Sequence, residues 1–143
     1  MNDLETLREK KAFVTQNYVR ATAAAIALAV SANELVISSL GSLGCTAMAV
    51  LASGMMSSSL SFQFFQFPNL ISKSFGDDRS IILSLIDGFA LFTSSYILSS
   101  IGSIASNTGL GSYGWSVAWL FLATCFCIGG RLTDVVLPSI YAN

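Results

Sequence analysis

Two long tracts of this chain carry almost no charge. Between Ala21 and Ser72 the one charged residue is Glu34, and between Ser80 and Gly130 it is Asp87. A domain folded in water is about a quarter charged residues. Here the share is 10%, against 53% apolar residues and a mean hydropathy of +0.67. Such a chain has too few solvating side chains to cover itself in water, and uncharged tracts of this length belong in a bilayer. The expected class is an integral, multi-pass membrane protein; which membrane is not written in the residues.

The tracts divide into four apolar segments, at about 21–40, 45–67, 80–105 and 115–130. Each is close to the roughly 17–25 residues a helix needs to cross ~30 Å of hydrocarbon. Spanning strands would show sustained alternation, whereas these segments are rich in Ala, Leu and Ser. The reading is an all-α fold with a four-helix transmembrane domain over 21–137 and a short tail at 138–143. Residues 1–20 form an amphipathic lead-in helix, in which Asn2 and Glu5 resemble a capping box and Leu4, Leu7, Val14 and Tyr18 share one side. That helix lies along the interface or, on the plainer reading, is simply solvated. With Asp3, Glu5 and Glu9 and no early apolar core, it does not look like a secretory signal or a transit peptide.

The basic residues supply the orientation. Arg8, Lys10, Lys11 and Arg20 precede the first segment, Lys73 and Arg79 lie between the second and third, and Arg131 follows the fourth. The connections at 41–44 and 106–114 hold no Lys or Arg. Under the positive-inside rule both termini lie on the cytoplasm-like side.

Within the apolar segments, polar residues stand out as candidates for function. The stretch SLSFQFFQFPNLIS at 59–72 alternates like a strand at its start, yet Gln63, Gln66 and Asn69 fall three apart, on one helical face with Ser59. An open strand in lipid would leave its backbone groups unpaired, so a helix is expected, weakened by Pro68 in its last turn. Amides in hydrocarbon are costly unless bonded. The face therefore looks toward other helices, for interhelical hydrogen bonding, or lines a solute path. Asn33, Glu34 and Asp87 raise the same choice between packing and a proton or solute role. No basic residue lies within the four segments, so each acid needs a proton, a Ser, Asn or Gln partner, or an ion pair from another chain.

Small residues recur four apart, at Ala23 and Ala27, at Gly54 and Ser58, at Ser84 and Gly88, and at Ser95, Ser99 and Ser103. Such stripes let helices approach closely, and there are enough of them to suggest several protein-covered faces, within the chain or from a neighbour. Cys45, Cys125 and Cys127 read as packing residues, because Cys125 and Cys127 point in different directions on a helix and there is no histidine to complete a metal site. No phosphate-binding loop, catalytic triad or metal-ligand cluster is present, so neither an enzyme nor a resident cofactor is expected, nor a nucleic-acid partner. Contacts to lipid or pigment fit the composition.

Three stretches carry a family likeness: PNLISKSFGDDRS at 68–80, SLIDGFALFTSS at 84–95 and GLGSYGWSVAWLFLATCFCIGG at 109–130. Together they resemble the last helices of a major facilitator superfamily transporter, most closely the branch of organic-phosphate and sugar-phosphate antiporters. In that family a short charged loop joins the tenth and eleventh helices and a Gly-Trp pair opens the twelfth. Here Lys73 to Arg79 and Gly114-Trp115 take those places. The resemblance implies a helical transporter ancestry and makes the first segment a ninth helix. Such carriers place substrate between two six-helix halves. The four segments here, without intramembrane basic residues for a phosphate ester, imply ancestry and fold more than transport.

The leading functional expectation is a small non-catalytic subunit docked into a larger membrane complex, with organellar respiratory and photosynthetic assemblies as the analogy. In that role Gly54, Ser58, Ser84, Gly88, Ser95, Ser99, Trp115 and Trp119, with the aromatic patch at 62–67, contact partner helices, lipid or pigment. The alternative is a solute or proton transporter working as an oligomer, with Glu34, Gln63, Gln66 and Asp87 along its path.

Overall fold

The computed structural model describes residues 2–72 and 76–141, without the side chains of 2–8, 10, 62–72, 79 and 136–141. It is helical throughout, with no strand among the described residues. The helices are α1 (Asn2–Ser31), α2 (Glu34–Ser72), α3 (Arg79–Ala105) and α4 (Gly114–Tyr141), and single 3-10 turns at Gly76–Asp78 and Gly111–Tyr113 lead into α3 and α4. The backbone at 59–72 is helical, as the bilayer argument required.

Three stretches are long and apolar enough to cross a membrane: Glu34–Ser61, Ser80–Ala105 and Gly111–Val135. They make a lipid bilayer the environment of this fold. The segment expected at 21–40 differs. It is divided at Ala32-Asn33, its first part continuing the lead-in helix without a break at residue 20 and its last turns opening α2. The cause is local. The Ser31 hydroxyl donates to the Leu28 carbonyl at 2.9 Å, and the Asn33 amide tightens the last turn by bonding back to Val30 at 3.1 Å. Asn33 then starts the next helix: its Oδ1 accepts the Leu35 amide at 3.0 Å, its carbonyl accepts those of Val36 and Ile37, and Glu34 lies in the first turn. These are the residue types that open a helix.

A second interruption falls at Gly41, where φ 77° and ψ 158° bend α2 between its first two turns and the rest. Side chains are essentially excluded from that backbone region, so only glycine holds the kink without strain.

The helices run alternately up and down. The Ser116 hydroxyl donates to the Ala29 carbonyl at 2.9 Å, joining the start of α4 to the end of α1. Lys11 and Thr15, near the other end of α1, bond Asp134 near the end of α4. The core is a three-helix seam of small residues. Val14, Asn17, Ala21, Ala24, Leu28 and Ser31 form the inner stripe of α1, spaced three and four apart, and Ala25 and Ala29 widen it. Cys45, Ala52 and Ser59 face it from α2, and Ser116, Ala123, Gly130 and Thr133 from α4. Ala24, Leu28 and Ala52 make its central cluster, bordered by Ala27, Ala49, Met56 and Trp119. Helix α3 packs mainly on α4, and none of its apolar window is buried.

Candidate functional site

Near the basic end, α4 fits α1 closely. A Cβ built at Gly129 would lie 2.9 Å from Tyr18 Cε1, and one at Gly130 would lie 3.2 Å from Tyr18 Cβ. Two glycines in a helix interior cost about 1 kcal/mol each relative to alanine; here they make room for the tyrosine. Beside them Asp134 accepts a hydrogen bond from Thr15 Oγ1 at 2.9 Å and sits 3.7 Å from the Lys11 ammonium, which donates to the Asp134 carbonyl at 3.2 Å. Both charged side chains are about a third exposed, so the ion pair itself contributes under ~1 kcal/mol and chiefly sets register.

The outer side of this junction is a groove of about 430 Å³ between α1 and α4. Its walls are mostly apolar, with Val19, Ala23, Ile26 and Phe126 above, while Arg131 and Asp134 close the basic end. Cys127 lines it, its Sγ 3.8 Å from Thr22 Oγ1. A second hollow of about 370 Å³ lies under the Gly41 kink, between Leu28, Cys45, Ala49 and Trp119. A third, of about 550 Å³, extends from the first past Lys11 and Gln16.

None of these three hollows is lined by Glu34 or Asp87. Glu34 is exposed at the first turn of α2, beside the break rather than in the middle of a span, where an acid suits the positive end of the helix dipole. Asn33 is engaged in capping. Asp87 is exposed on α3 toward the other end of the bundle, roughly 20 Å away along the axis. Gln63, Gln66 and Asn69 lie on helical backbone, but their side chains are outside the described residues, as are those of the patch at 62–67.

The small residues singled out in the sequence also take positions of two kinds. Ala27 and Trp119 border the core. Ala23, Gly54, Ser58, Ser84, Gly88, Ser95, Ser99, Ser103 and Trp115 are exposed, so they do not bring helices of this chain together. The seam that does so uses Ala21, Ala24, Ala52, Ala123 and Gly130 instead. Cys45 is buried in it, and all three cysteines are free thiols.

Sequence reasoning missed the Tyr18–Gly129–Gly130 fit and the Lys11–Thr15–Asp134 junction. Adjacent glycines deep in a helix were the available signal, since helices rarely carry two without a close neighbour. Asn17 was missed as well. It is 2% exposed, in the α1 stripe, with no hydrogen-bond partner among the described residues.

Compared with known proteins, the chain matches no protein-family model, no curated protein and no solved structure.

Proposed function

We propose that this chain is a small, non-catalytic integral membrane subunit that packs into a larger membrane complex through the outer face of α3. In this reading all four helices cross the bilayer and both termini lie on the cytoplasm-like side. Helix α1 crosses with its stripe of small residues, Asn17 and Ser31 included, turned to α2 and α4, and its exposed Arg20 reaches along the helix toward the basic end. The fold descends from the closing helices of a major facilitator transporter.

One observation carries the reading. Among the described residues nothing covers the outer face of α3, yet it combines Asp87 and a row of serines with Phe89, Phe92 and Tyr96. Lipid is a poor neighbour for a carboxylate, and polar groups at membrane depth normally face protein or water. The apolar side chains would be satisfied by lipid, and Ser84 and Ser95 already donate to carbonyls of their own helix; it is the carboxylate that calls for another protein. Against transport, Glu34 and Asp87 share no described cavity and stand toward opposite ends of the bundle, whereas a solute path would bring its polar groups together.

The test is the native mass of the chain extracted in mild detergent, with co-migrating proteins identified. A defined complex of fixed stoichiometry containing other subunits is expected. A chain running as a monomer, or only with copies of itself, would overturn the accessory-subunit reading and return attention to solute flux.

A further inference from the structure

Of the charged side chains in the candidate spans, only Asp134 has a partner among the described residues; Glu34 lies at the far end, beside the break, and the other two lie near the basic end. Among the described residues, neither Asp87 on α3 nor Arg131 on α4 makes an ion pair or a hydrogen bond, and both are exposed. They also sit at one depth. Helices α3 and α4 are antiparallel and meet at their linked ends, where a Cβ on Gly114 would lie 2.5 Å from the Ala105 carbonyl oxygen. Asp87 is eighteen residues before Ala105 and Arg131 seventeen residues after Gly114. At ~1.5 Å per residue, each is about 26 Å from that junction. The two side chains nevertheless make no ion pair with each other, and Arg131 lines the α1–α4 groove while Asp87 does not.

The surfaces around them are complementary. On α3, Ser84, Asp87, Leu91, Ser95, Leu98 and Gly102 follow one another three or four residues apart, all exposed, which makes a strip with one acid near its basic end and small and aliphatic residues above. The α1–α4 groove has the reverse charge in the same order: Arg131 near the basic end, then Gly130 and Cys127, then Ala23, Ile26 and Phe126. Its own acid, Asp134, is already engaged by Lys11 and Thr15.

We infer that the α3 strip of one copy seats in the α1–α4 groove of a second copy, Asp87 of the first pairing with Arg131 of the second. Both copies have the same orientation in the membrane, as co-inserted chains do, which brings acid and base to one level. The contact is heterologous, with its rotation axis normal to the membrane. The inference rests on the reading of α3 as a docking face and names one of its neighbours. It is tested without any other subunit, so it can fail while the larger complex stands, or hold where no other protein co-migrates.

The experiment is co-purification of two differently tagged full-length copies from liposomes in mild detergent. Wild-type copies are expected to recover one another. Asp87→Asn in both copies, or Arg131→Gln in both, is expected to reduce recovery on the order of tenfold or more, because removing one partner strands the other in a desolvated contact. A mixture settles the geometry: an Asp87→Asn copy with an Arg131→Gln copy retains one intact Asp87–Arg131 pair and is expected to recover its partner, although neither variant recovers itself. Both substitutions are at exposed positions, and unchanged helicity by circular dichroism confirms folding. Recovery unaffected by the single substitutions, or no restoration in the mixture, would overturn the inference.

Discussion

Helices α1 and α3 make an instructive pair because their burial is the reverse of their hydrophobicity. Helix α1 carries more charged residues than any other helix and is too polar to count among the candidate spans, yet its second half contributes more buried residues than any other helix. Helix α3 is apolar enough to span, yet its whole apolar window is unburied. In water the order would be opposite. In a bilayer, lipid tails solvate Leu and Phe as well as another helix does, so burial goes to helices whose small side chains permit close approach and whose polar groups need partners. Helix α1 has both, in Ala21, Ala24, Ala25 and Ala29 and in Asn17 and Ser31.

The sharpest way to break the contrast is to overfill each helix in turn. Ala24→Leu places a large side chain at a fully buried site and is expected to cost about 1–3 kcal/mol or more. Thermal unfolding in detergent would show a lowered midpoint. Ser99→Leu on α3 is at an exposed position; a shift within about ±0.5 kcal/mol is expected in the isolated protein, with release from the native complex. Should both substitutions leave the midpoint alone, the small-residue seam would not be what holds the bundle.

Gly41→Ala comes next. A Cβ there has nothing within 4 Å, so the penalty is purely one of backbone conformation, on the order of 1–3 kcal/mol. The same midpoint measurement tests it, and Gly54→Ala, at an open site in regular helix, is expected to cost nothing and to gain a few tenths of a kcal/mol. Asn17→Leu removes a buried amide without a partner among the described residues and is expected to leave stability unchanged or raise it slightly; a loss of several kcal/mol would mean the amide is bonded. Smallest is Lys11→Ala, expected to cost under ~1 kcal/mol and to lose even that at high salt.

Much of the candidate site could be found along the chain but not assembled from it. Asp87 and the serines of α3 were visible as polar residues in an apolar run, and their exposure follows from α3 packing on the bundle along one side only. Glu34 was visible too, but hydropathy averaged across the break at Ala32-Asn33 and placed it inside a span. The Asn-Glu pair that opens α2 is a helix-start signal, weak inside a segment dominated by apolar residues. The small-residue stripes were real but, Ala27 apart, on the outward faces, because four-residue spacing says which residues share a side and not what that side meets.

Composition and the spacing of charges determined by themselves that the chain is helical and bilayer-bound, with its bases gathered at one end. Those properties depend on transfer of each segment from water to lipid, which is local. Which helix becomes the core, where the first apolar segment breaks and which glycines receive Tyr18 were decided only by tertiary structure. In lipid, hydrophobicity no longer ranks the faces of a helix, and the choice passes to fit between particular side chains on different helices.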